Sequence, residues 1–427
     1  MPNGAPTTRP EKTRLRLGFI ALADCAPLVV ARELGFLADE GLDVSLERQG
    51  SWAAIRDRVI LGRLDGAQML AGLPLAATLG LGTPPQPMVA AMSLGLNGNS
   101  ITVASELWAR MRAADACLSD DAPAQASALA QMLAADRAEG LAPLTFAVVH
   151  PVSSHNYQLR YWLAAGGIDP DRDVRIIVVP PARMLANLRA GRIAGYCVGA
   201  PWSELAVAEG MGHIALTGYE LWHNAPEKVL GVTRTWAEAY PATHRALIRG
   251  LVQACRWLGT PDNRARIAPL IASPDYVDCD AAALASIYAG RLRRHVDGDT
   301  QAHPNHLVFA DHQANFPWRS HAIWFMRQMQ RWGQLHPAID VQTAALDVYR
   351  PDIYREVAAS LGLSAPSVDY KSEGGHAGPW TPEDELSDIT LGPDLFLDGG
   401  QFDPQAPAPI AHLYRSSVST IDQGNTP

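Results

Sequence analysis

Apolar residues alternate or cluster in short runs over the first hundred positions, and stretches with helical spacing separate those runs. Residues 15–21 (Leu-Arg-Leu-Gly-Phe-Ile-Ala) read as a first β-strand. From Ala26 to Leu37 apolar side chains recur at helical intervals; Pro27 suits a first helical turn and Gly41 a C-terminal cap. Residues 42–47 alternate like a half-buried strand, 53–64 are amphipathic, and 66–70 (Gly-Ala-Gln-Met-Leu) form a third strand. Strand, helix, strand, helix, strand within about 60 residues predicts a parallel α/β sheet. Pro74 opens another helix, and residues 88–91 another strand.

The pattern restarts near residue 144. Strands are expected at 144–149, 174–179 and 193–198, and helices at 156–165, ended by Gly166-Gly167, and at 181–190. Between the two units, 113–140 is Ala-rich and reads as surface helix. Residues 235–361 read as mostly helical, most clearly at 247–258 and 321–332. From Ser364 onward Pro, Gly, Ser and Asp dominate, apolar periodicity fades, and a loop-like tail is expected.

Composition narrows the classes. The chain has 427 residues, 48% hydrophobic and 19% charged, which excludes a disordered or fibrous protein. A net charge of −9 leaves no global basic field for nucleic acid. No apolar run is long enough to span a membrane. Five cysteines (Cys25, Cys117, Cys197, Cys255, Cys279) at wide spacings indicate neither a disulfide framework nor a zinc ribbon. Leu22-Ala23-Asp24-Cys25 has the outline of a lipoprotein cleavage box, but the acidic residue before the cysteine spoils it, and no secretory signal is read at the N-terminus. A cytoplasmic location is therefore expected.

No catalytic signature occurs: there is no P-loop, no GxGxxG opening a helix, no HExxH and no GxSxG, so no enzyme is expected. His303, His306 and His312 lie close together, but their polar, loop-like setting favours surface histidines over a metal site. Two helix starts carry more chemistry. Ser153-Ser154-His155-Asn156 offers free N–H groups and a histidine donor, although a serine there is also an ordinary helix cap. Ser51-Trp52-Ala53-Ala54 offers small residues for close approach and one indole N–H, although a tryptophan there is commonly core. Two such starts from two α/β units, facing a cleft, would clamp a small anion.

These blocks carry a family resemblance. Residues 17–28, 51–57, 65–70, 96–101, 159–170, 178–181 and 195–202 (Gly-Tyr-Cys-Val-Gly-Ala-Pro-Trp) occur in order and resemble the nitrate- and bicarbonate-binding proteins of ABC transporters and their cytoplasmic relatives, the NasS-type nitrate/nitrite sensors. The resemblance spans roughly residues 14–355. It implies a two-lobed C-clamp α/β fold of periplasmic-binding-protein type II. It divides the chain into a first part of lobe I (14–100), a connecting helical segment (101–142), lobe II (143–225), a return to lobe I with a helical C-terminal part (226–361), and a Pro/Gly-rich tail (362–427).

The resemblance also implies a nitrate pocket of Trp52, Asn99, His155, Pro181 and Lys228, with no cofactor and no metal. Transporter members usually carry Gln at the position of Asn99. At the position of Lys228, nitrate-binding members carry Lys, whereas bicarbonate-binding members carry Glu beside a bound calcium. A lysine supplies the positive charge a monovalent anion needs in a closing cleft. Ala200 is a departure, since many relatives have Glu there, and it puts any lobe contact made by that acid in doubt. Read as a sensor, the chain would hold an RNA-binding antitermination regulator of NasT type and release it when nitrate or nitrite binds, without touching nucleic acid or membrane itself. Two alternatives stay open: a transporter receptor for nitrate, bicarbonate or a sulfonate, and an enzyme of the thiamine-pyrimidine synthesis type, which shares the fold.

Overall fold

The computed structural model describes residues 9–115, 118 and 122–406. Cys117, residues 1–8 and the last part of the tail, 407–427, lie outside the described residues. Among the described residues, thirteen strands form two main sheets and one small hairpin. Strands β1 (Arg14–Phe19), β2 (Asp43–Arg48), β3 (Gly66–Leu70) and β4 (Met88–Asn97) belong to the first sheet. Strands β5 (Asn99–Ala104), β6 (Thr145–Val148), β7 (Arg175–Val178), β8 (Gly195–Gly199) and β9 (Gly212–Thr217) form the second. The chain then returns to the first sheet as β10 (Pro226–Thr233), makes a hairpin of β11 (Arg291–Arg293) and β12 (Thr300–Ala302), and adds β13 (Leu307–Val308) to the first sheet's edge.

The first sheet runs β13-β4-β10-β3-β1-β2, and the second β7-β6-β8-β5-β9. Strands β2, β1 and β3 are parallel, as the helices between them require, while β10 is inserted antiparallel between β3 and β4. In the second sheet β7, β6 and β8 are parallel, and β5 runs antiparallel to β8 and β9. The second sheet is built from consecutive strands, β5 to β9, whereas the first takes β10 and β13 from the chain after it has returned.

Two crossings join the lobes. The first is Asn97-Gly98-Asn99, where Asn97 and Gly98 have φ of 63° and 93°. Only glycine adopts the second angle without strain, and it lets β4 end and β5 begin within one residue. The second crossing, between β9 and β10, holds the short helix Gly218–Leu221, closed by a capping box between Thr217 and Glu220. Residues 101–104, expected to open a connecting helical segment, complete β5; helices follow at Ser105–Ala114 and Ala122–Ala138. The latter was read as surface helix, yet it buries Ala126, Leu129, Met132 and Leu133 against the second sheet's core. Its high alanine content hid the apolar stripe.

One apolar cluster runs from Ile55 and Met69 through Tyr157 and Trp162 to Phe396, so it is shared by both lobes. A second surrounds Leu17, Phe19, Leu247, Ile248 and Leu251, where the long helix Pro241–Gly259 covers the first sheet. Among the described residues no helix is long and apolar enough to cross a membrane.

The tail from 362 to 406 has little regular structure but a defined path. It pairs with itself at Glu373–Phe402 and Trp380–Leu391, and with the second crossing at Trp222–Phe396. The Arg319 N–H donates to the Asp369 carbonyl at 3.0 Å, and the Leu397 N–H to that of Leu221 at 2.9 Å. Tyr161, on the helix Ser154–Ala165 of lobe II, donates its hydroxyl to Asp398 at 2.7 Å. The tail is thus a strap that touches both lobes and the crossing between them.

Candidate functional site

Strand direction decides where the site forms. In parallel α/β sheets, ligands collect beyond the carboxyl ends of the strands, where helices begin. Asp24 lies in the turn after β1, Trp52 at the helix start after β2, His155 at the helix start after β6, and Pro181 in the turn after β7. Asn99 opens β5 and Lys228 lies near the start of β10, so both stand at the interlobe crossings.

Serines set both helix starts. Ser51 accepts the Ala54 N–H at 3.2 Å, and Ser153 accepts the Asn156 N–H at 3.0 Å. Each such cap contributes about 0.5–2 kcal/mol and frees the next side chains, Trp52 and His155, to point at the cleft. The lobes are closed over them: Trp52, Asn99 and His155 are 0% exposed and Lys228 1%. Lys228 Nζ sits 5.3 Å from the centre of the Trp52 ring, in cation–π contact.

The charge at Lys228 is not free. Its ammonium donates to Asp24 Oδ2 at 2.8 Å and to Glu227 Oε1. Glu227 in turn accepts from Asn99 Nδ2 at 2.7 Å and from the Ser154 hydroxyl. Asn99 Nδ2 also meets Gln158 Oε1 at 2.9 Å. Asp24 accepts from Gln68 Nε2 at 2.6 Å, and Gln68 is fixed by the Ile20 N–H at 3.1 Å. One ammonium therefore faces two carboxylates, and the buried cluster is net negative when both are ionised.

Burial alone would strip Lys228 of its proton, but Asp24 and Glu227 outweigh burial and hold it above the usual lysine range. Burial, aided by the like charge of Glu227, raises Asp24 against the pull of Lys228. His155 is driven well below its usual value by burial and by the Lys228 charge, so its ring is neutral. His155 Nε2 stands 3.5 Å from Glu227 Oε1, yet neither ring nitrogen makes a hydrogen bond. The Trp52 indole N–H and Asn99 Oδ1 also lack a protein partner. Unbonded buried polar atoms are costly, and four of them around one charged cluster mark a place built for a further polar group.

The structure thus brings Trp52, Asn99, His155 and Lys228 together. Pro181 is buried in the turn Pro181–Arg183 on the lobe II side, and its ring can offer only an apolar wall. Asp24, Glu227 and Gln68 are the members that sequence reading did not assign to the pocket. Glu227 escaped because no strand was read over 226–233; in a regular strand, moreover, consecutive residues face opposite ways. In β10 they do not. Pro226 pairs with Leu96 and Lys228 with Gly95, so Glu227 is an extra residue against β4 and the local pleat is broken. The bulge turns Glu227 and Lys228 toward the same pocket. A narrow cavity lined by Asp24, Gly95, Asn97, Glu227 and Lys228 adjoins it.

Two other expectations need adjusting. The lobe contact placed in doubt by Ala200 is made by backbone: the Ala23 N–H donates to the Ala200 carbonyl at 2.8 Å. His306, expected at the surface, is buried, and its Nε2 meets Glu204 Oε1 at 3.2 Å, because β13 immediately after it joins the sheet edge. Among the described residues no group of three or more His, Cys, Asp or Glu is placed to hold a metal ion.

The NMT1-like family matches residues 8–272. The chain belongs to this family. The same architecture occurs in the crystal structure of the periplasmic nitrate-binding protein NrtA from Synechocystis PCC 6803, with a TM-score of 0.82 and 30% identity over 94% of this chain and 98% of that one. The fold is therefore that of the periplasmic substrate-binding proteins, as the sequence blocks implied. Sequence relatives include the nitrate import ATP-binding protein NrtC of Synechocystis, 38% identical over 89% of this chain and 55% of NrtC. The bicarbonate transport ATP-binding protein CmpC of Synechocystis is 43% identical over 85% of this chain and 52% of CmpC. This NMT1-like chain spans about half the length of those two relatives.

Proposed function

We propose that the protein binds nitrate or nitrite in the interlobe pocket and acts as a sensor rather than as an enzyme. One observation carries the anion reading: two capped helix starts aim Trp52 and His155 at Lys228 and Asn99 inside a closed cleft, with donors left unbonded. The similarity to nitrate-binding NrtA, over nearly the whole of both chains, supports nitrate as the ligand. Lys228 favours a monovalent anion held without metal. In this reading Trp52, Asn99, His155 and Lys228 contact the ion, and Pro181 bounds it.

The sensor step rests on linkage. Nitrate stabilises closed lobes, so a partner that selects open lobes must lose affinity by the same coupling energy. The partner would be an RNA-binding antitermination regulator, and the protein would work in the cytoplasm. The second reading is the substrate-binding component of a transporter for nitrate, or for bicarbonate or a sulfonate, favoured by the match to periplasmic NrtA.

Calorimetry against nitrate, nitrite, bicarbonate and chloride tests the ligand. Nitrate or nitrite should bind without metal; bicarbonate binding that requires calcium, with no nitrate binding, overturns the reading. Gel filtration with a NasT-type regulator separates the two roles. A complex that dissociates on adding nitrate supports the sensor, and no complex returns the protein to the transporter class.

A further inference from the structure

Glu227 occupies the donors that an incoming anion would use. Its carboxylate takes the amide of Asn99 at 2.7 Å, the hydroxyl of Ser154 and the ammonium of Lys228, all buried. It is an internal oxyanion held in a cradle of the kind proposed above for nitrate. A second anion cannot share these donors with Glu227 while both are charged. Adding it would set three negative groups, with Asp24, against one lysine in a site with almost no solvent.

We propose that anion binding is proton-coupled at Glu227: the entering ion displaces the carboxylate from Asn99, Ser154 and Lys228, and Glu227 takes one proton from solvent in the same step. The inference rests on the anion reading of this pocket. Protonation converts Glu227 from an acceptor into a donor, so its O–H can bond an oxygen of the bound ion. Asp24 is also raised by burial, but Glu227 is the carboxylate that holds the Asn99 and Ser154 donors the ion would take. From β10 itself comes Lys228, already protonated; from the helix Ser154–Ala165 come His155, Ser154 and Gln158; from β5 comes Asn99. Cys197 on β8 stays a neutral thiol, because burial and the Glu227 charge raise it. Asp24, beyond Lys228, keeps its own donor in Gln68 and does not touch Asn99 or Ser154 among the hydrogen bonds of the cluster. Glu227 is thus a specificity residue: once protonated, it favours an ion whose oxygen accepts its O–H.

Nitrate titrations by calorimetry, in buffers of different ionisation heat between about pH 6 and 9, read the proton directly. The native protein should take up about one proton per nitrate, and its affinity should fall about tenfold per pH unit over the upper part of that range. Glu227→Gln should bind nitrate with no proton uptake and a flat pH profile, and more tightly than the native protein at the alkaline end. Native binding without proton uptake overturns the proposal and leaves the anion reading standing. Uptake that persists in Glu227→Gln but vanishes in Asp24→Asn or His155→Gln also overturns it. No nitrate or nitrite binding by either protein at any pH removes the anion reading itself, and this proposal with it. The native measurement decides even if the variant fails to fold.

Discussion

Two buried clusters in this molecule combine a lysine, a histidine and carboxylate, and they are balanced differently. In the strap, Lys371 donates to Glu373, and His321 Nε2 meets the same carboxylate at 3.0 Å. One positive and one negative charge cancel there, and the histidine ring is bonded. At the interlobe pocket one lysine faces two carboxylates, and both nitrogens of His155 are unbonded. The first arrangement fastens the tail onto the body of the protein. The second leaves charge and hydrogen-bonding capacity unspent where the two lobes meet. The same residue types serve differently in the two places; what differs is the balance of charge and whether the histidine ring is bonded.

The sharpest way to break this contrast is Lys228→Ala. It leaves two buried carboxylates without their cation, so unfolding should become easier by about 3–5 kcal/mol, and nitrate binding should vanish. Denaturant melts and calorimetry read the two effects. Retained nitrate affinity would show that the pocket's lysine is only structural.

Smaller effects are expected from the unbonded donors. His155→Ala and Trp52→Phe should each weaken nitrate binding by about 1–3 kcal/mol, the value of a hydrogen bond to a charged group. Phenylalanine is the informative replacement at Trp52. Alanine there would open a cavity in the shared core and cost about 3–5 kcal/mol of stability for reasons unrelated to the ion. Unchanged affinity in both variants would remove the clamp.

The strap should answer the opposite way. Lys371→Ala should lower stability by about 1–3 kcal/mol and leave nitrate affinity unchanged. A loss of affinity would mean the two clusters are coupled.

The smallest expected effect is in acid. Burial pushes His321 below its usual value despite Glu373, and Lys371 and His321 hold Glu373 below the usual carboxylate range despite burial. Both groups bind fewer protons folded than unfolded, so their stability is present at neutral pH and lost downward. The loss begins below about pH 6.5 for His321 and below about pH 4.3 for Glu373. Melting temperatures from neutral to acid pH should fall accordingly, and Glu373→Gln should flatten the lower part of the curve.

Much of the frame was legible in the sequence because it is local. Strand β3 falls where Gly66 to Leu70 was expected, and the helix starts at Trp52 and His155 follow from serines placed before apolar periodicity. Strand β4 was seen only at its first four residues, because Ser93, Gly95 and Asn97 interrupt the apolar run while the backbone continues to pair. Asp24 was noticed only as an obstacle to a cleavage box, although a charged residue in so apolar a stretch is itself a signal. The strap has no period to read. Its order comes from pairs such as Glu373 with Phe402, which no short window contains. Glu227 was hidden for a different reason: no strand was read over 226–233, and the bulge that turns it beside Lys228 exists only through pairing with β4.

The extra residue in β10 has a consequence for inheritance. It gathers two consecutive side chains into the pocket where a regular strand would lend one. The electrical character of the pocket is thereby written largely in one dipeptide, encoded by adjacent codons. Changes at those two codons can swing the local charge through several units while the crossing, the helix caps and the flanking pairs keep their backbone. In the proposed reading, ion preference can then change without a change of backbone path, while the same two side chains also carry part of the fold's stability.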